Sequence, residues 1–97
     1  MTDPDEIVGT ELERVVRRWQ QLPLDRALPA VPGVAAVVQG LADAVSVARG
    51  MPLDRVPDLG PAVLMDQLAV MVYDWRQAGL PTTELADRLT ALRRTLP

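Results

Sequence analysis

Pro61-Ala-Val-Leu-Met-Asp-Gln-Leu-Ala-Val-Met-Val-Tyr-Asp-Trp-Arg-Gln-Ala-Gly79 decides how this chain folds. Val63, Leu64, Met65, Leu68, Val70, Met71, Val72 and Trp75 recur at helical spacing and cover well over half of a helix circumference. Asp66, Gln67, Asp74 and Gln77 leave only a narrow polar stripe. Pro61 suits a first helical turn and Gly79 a stop, so a helix is expected over 61–78. Because it is apolar on most sides, it must be surrounded, either by the rest of the chain or by a second molecule.

Three further amphipathic segments are available to surround it. Asp3, Pro4 and Glu6 carry the marks of a helix start, and Thr10 with Glu13 offers a second one. From there Val8, Leu12, Val15, Val16, Trp19 and Leu22 form one face, which predicts a helix over 3–22. Pro23, Pro29 and Pro32 fall within ten residues, so 23–32 reads as a stiff connector, with Leu24 and Leu28 free to tuck inward. Val34, Val37, Val38, Leu41, Val45 and Ala48 then predict a helix over 33–49, stopped by Gly50. Pro52, Pro57 and Gly60 make 50–60 a loop. The last helix, 83–96, carries Leu85, Leu89, Leu92 and Leu96 on one face. It is expected to begin at Thr82 or Thr83, with Glu84 and Asp87 in its first turn and Arg93 and Arg94 in its last.

No segment alternates with a strand period, so the fold class is all-α: one small four-helix bundle spanning residues 1–97. At 97 residues such a domain buries roughly 60–65% of the surface its unfolded chain exposes. Hydrophobic content of 48% is too high for an intrinsically disordered chain. With Trp19, Tyr73 and Trp75 as its only rings, the core has to be aliphatic.

Composition excludes much chemistry. The chain has no His, Cys or Lys, and Ser46 is its only Ser. No His or Lys base is therefore available to activate a hydroxyl nucleophile, which leaves only carboxylates for acid–base work, and a metal site would need oxygen ligands throughout. Glu84 with Asp87, and Asp66 with Asp74, supply the spacing for a Mg- or nucleotide-binding helical enzyme, bordered by Asp66, Asp74 and Arg76. Dipole compensation accounts for Glu84 and Asp87 equally well. No catalytic residue, metal ligand or cofactor is assigned.

A net charge of −3 works against nucleic-acid binding. Ala78 to Leu89 resembles the turn and first helix of a helix-turn-helix regulator, yet Thr90 to Arg94 continues the Leu stripe instead of turning into a recognition helix. Glu11 and Glu13 are spaced to pair with Arg14 and Arg17, which predicts a solvated charged face. The acidic opening Met1 to Glu6 lacks the basic region of a secretory signal, and Leu59 to Tyr73, interrupted by Asp66 and Gln67, is too short to cross a bilayer. Ten Arg without Lys reads as the codon usage of a GC-rich bacterial genome.

The expectation is a cytoplasmic, non-catalytic interaction or regulatory module without a membrane role, whose partner is a second copy or another protein. Met65, Met71, Tyr73, Trp75 and Trp19 are its candidate interface residues. Ala36, Gly40 and Ala44, repeating every four residues, add a face that another helix backbone could approach closely.

Overall fold

The computed structural model describes residues 2–97. Its elements are α1 (Pro4–Gln21), α2 (Leu24–Ala27), a 3-10 turn (Leu28–Ala30), α3 (Val31–Ala48), α4 (Leu64–Gln77) and α5 (Thr82–Thr95). The four long helices are those the periodicity predicts, and no strand occurs among the described residues. α1 packs mainly against α5, and α3 mainly against α4. The Cα atoms span 38 × 37 × 16 Å, so the bundle is a thin slab in which a helix has few neighbours to cover it.

Helix ends follow from local chemistry. Asp3, not Thr10, caps α1: its side chain accepts from the Asp5 amide at 3.0 Å, with Pro4 in the first turn. After α3 the Gly50 amide donates to Val47 and the Met51 amide to Ser46, and after α4 Gly79 donates to Arg76 and Leu80 to Trp75. Both are Schellman closures, which need a left-handed residue; Gly50 and Gly79 supply it at φ +65° and +72°.

One expectation is corrected. The stretch read as a stiff Pro-rich connector is helical from Leu24 onward: Pro23 caps α2, Pro29 opens the 3-10 turn and Pro32 lies in the first turn of α3. At those positions proline's fixed φ is already helical and its missing N–H has no intrahelical partner to lose. Ala27 is the residue that turns inward, while Leu24 and Leu28 are exposed. α5 begins at Thr82, one of the two expected starts, with Pro81 as its N-cap and no side-chain cap bond.

The helical run Leu24–Ala48 therefore reaches 25 residues and contains an 18-residue stretch of mean hydropathy 1.5, long and apolar enough by those measures to cross a membrane. Core helices share that property, and Val34, Val38, Leu41 and Val45 of this one are buried against the rest of the chain. One core gathers Val8, Val15, Leu41, Leu68, Trp75, Leu85 and Leu89, all at 0 or 1% exposure. Each Trp is tied at its polar end. Trp19 Nε1 donates to the Pro61 carbonyl at 3.2 Å and Trp75 Nε1 to the Pro81 carbonyl at 3.1 Å, satisfying the one donor a buried indole carries.

Candidate interaction surface

α4 divides its circumference three ways. Leu64, Met65, Leu68, Val72 and Trp75 enter the core. Gln67, Val70, Met71 and Asp74 border a groove shared with α3 and the 50–60 loop. Asp66, Ala69, Val70, Tyr73 and Gln77 face solvent, with Val70 at 52% exposure and Tyr73 at 62%. The polar stripe read from the sequence is thus displaced. Gln67 and Asp74 are half-buried, and the solvent face has an apolar centre of Ala69, Val70 and Tyr73 between Asp66 and Gln77.

The groove holds about 450 Å³. Val45, Ser46 and Arg49 of α3 form one wall, Asp66, Val70, Met71 and Asp74 of α4 the other, and Met51, Asp54, Arg55 and Val56 of the loop its cover. Two glutamines place that cover. Gln39 Nε2 donates to the Asp54 carbonyl at 3.0 Å and to Asp43 Oδ1 at 2.8 Å, while Gln39 Oε1 accepts from the Val56 amide at 2.9 Å. Gln67 Nε2 donates to the Pro57 carbonyl at 2.9 Å. A side-chain amide has the donor and acceptor of a peptide group, so Gln39 pairs with the loop as another backbone would. The loop, though it has no regular structure, is thereby strapped across α3 and α4, with Val56 packed on the core and Met51, Leu53 and Leu59 more than half exposed.

The candidate interface residues separate on this geometry. Tyr73 is exposed, Met71 is half-buried and lines the groove. Trp19, Met65 and Trp75 are at 8%, 7% and 1% exposure, which corrects their assignment as surface anchors: their area is already covered by this chain's own helices. Ala36 is exposed, and Gly40 and Ala44 are half-buried. Ala36 and Gly40 lie in a second, open groove of about 530 Å³ between α3 and α5. The close helix approach expected there is not made within the chain. A Cβ added at Gly40 would meet only Arg88 Nη1, at 3.5 Å. That guanidinium also lies 5.1 Å from the Trp75 ring centroid and pairs with Glu84 at 2.9 Å.

Asp66 and Asp74 do share a groove, as their spacing suggests, but Arg76 leaves it to bond the Asp5 carbonyl at 3.1 Å. No group of three carboxylates converges on a common point among the described residues. Sequence reasoning missed Gln39, Met51 and Val56. Gln39 carried a signal, as a polar residue beside Val38 in an otherwise apolar stretch.

No family model matches the chain, and neither a curated protein nor a solved structure matches it.

Proposed function

We propose that this protein is a small, non-catalytic helical interaction or regulatory module of the bacterial cytoplasm that self-associates through α4. One observation carries the reading: Val70 and Tyr73, one turn apart on α4, stand exposed beside an apolar groove to which Met51 and Met71 also contribute. Contiguous apolar surface of this kind marks an interaction site, with Tyr and Met suited to anchor and adapt respectively. The thinness of the slab supports the reading, since it leaves α4 without a helix over this face. A V70R/Y73R double variant tests it by sedimentation equilibrium. The expected result is a dimer converted to monomer with an unchanged helical spectrum, and a variant that sediments as the wild type would refute it.

A second reading places a small charged molecule in the groove, where Asp54, Asp66 and Asp74 alternate with Arg49 and Arg55 around an apolar floor. Such a ligand raises the melting temperature by mass action. A thermal screen of divalent ions and nucleotides without any shift argues against it.

A further inference from the structure

Charge is unevenly distributed between α1 and α5. Of the two pairs that the spacing of α1 predicts, Glu11 with Arg14 is made, and Glu13 with Arg17 is not found among the described residues. Glu11 is 6% exposed and accepts from Arg93 Nε of α5, with Arg14 Nη1 a further 3.8 Å away. Among the described residues Glu13 forms no ion pair, and neither Arg17 nor Arg18 has an Asp or Glu carboxylate within ion-pair distance. Arg18 Nε donates instead to the Pro97 carbonyl. Arg14, Arg17, Arg18 and Arg93, with Gln21, line an open cleft of about 300 Å³. Four of the ten arginines thus face one small concavity whose nearest carboxylate is sunk beneath them.

We propose that this cleft docks a short acidic segment, bearing Asp or Glu side chains, of a partner protein. Guanidinium groups bind carboxylates through paired N–H donors; Arg17 is exposed with no Asp or Glu partner to displace, while Arg18, also exposed, would exchange its Pro97 contact for a partner's carboxylate. Like charges held together repel, and a partner's carboxylates relieve that repulsion where water and salt only screen it. Carboxylates are favoured over a nucleic-acid backbone because the rest of the molecule is strongly acidic. A duplex long enough to be held by phosphate contacts would run from the cleft onto like-charged surface. α1 and α5 build this site, α4 the apolar face, so either can fail without the other.

The test is fluorescence anisotropy at low ionic strength with a labelled oligoglutamate peptide, a labelled oligoglutamine peptide and a labelled DNA duplex. Oligoglutamate is expected to bind and oligoglutamine not to. Replacing three exposed arginines, R14Q/R17Q/R18Q, is expected to weaken oligoglutamate binding about tenfold or more, the sum of three modest ion pairs. R26Q/R76Q/R88Q, which removes the same charge outside both the cleft and the α3–α4 groove, should leave it unchanged. The smaller R17Q/R18Q variant, which spares both groups near Glu11, should show the same direction if the triple variant is poorly folded. Absence of oligoglutamate binding, equal losses in the two triple variants, or tighter binding of the duplex than of the peptide through Arg14, Arg17 and Arg18 would each overturn the proposal.

Discussion

Substituting Arg93→Met should destabilise the fold by about 2 kcal/mol. Glu11 is the one charged residue in the core, its side chain 8% exposed, and Arg93 from the facing helix is its direct partner. Removing one member of a fully buried pair costs about 3–5 kcal/mol, because the remaining charge stays desolvated. Here the cost is smaller on two grounds: the Arg93 side chain is 31% exposed, and Arg14 stands 3.8 Å from the other Glu11 oxygen. For a domain of this size about 2 kcal/mol corresponds to a melting temperature lower by about 10 °C or somewhat more. Replacing both partners, E11L/R93M, removes the orphaned charge and should return stability to within about 1 kcal/mol of wild type. Urea titration followed by circular dichroism on wild type, both single variants and the double variant closes the cycle. If R93M is within about 0.5 kcal/mol of wild type, or the single losses simply add, the pair is not coupled and the reasoning fails.

Gln39→Ala should free the strap: hydrogen exchange at the Val56 amide rises sharply while the α3 core amides stay protected, and stability drops by about 1–2 kcal/mol for the bonds lost. Gly40→Ala should stabilise by about 0.5–1 kcal/mol, because Gly is poor inside a helix and the space at Gly40 is open; destabilisation in a melt would reveal a close backbone contact, including one made on association. Gly79→Ala goes the other way by about 1 kcal/mol or more, since φ +72° strains a residue with a Cβ, and chemical denaturation reads the loss. Leu89→Ala, at 0% exposure in the α1–α5 seam, should cost about 3 kcal/mol in the same assay.

Periodicity made the four long helices legible, because each must bury one stripe and nothing else in the chain competes. The Gly50 and Gly79 closures could be read because they are local and a single φ decides them, whereas the start of α1 stayed open between Asp3 and Thr10, two equally good local caps. The Pro-rich segment was misread because proline is a breaker in a helix interior and a good first-turn residue. Which position it takes depends on Pro23, Pro29 and Pro32 each opening a new helical turn. The surface was less legible. Trp75 and Tyr73 are neighbours in sequence and equally attractive as anchors, yet the helix turns one to 1% exposure and the other to 62%. Only the position of α5, whose Pro81 carbonyl receives the Trp75 N–H, makes that choice. Likewise the pairing of Glu11 with Arg14 along its own helix was legible, whereas its second partner, Arg93 from 82 residues away, was not.

Self-association through the exposed face of α4 is the account's central claim, and the solution mass of the unmodified protein tests it most directly. Light scattering across a wide concentration series should return twice the 10.6 kDa chain mass, declining toward the monomer only on dilution. A mass of 10.6 kDa at every concentration would contradict the claim.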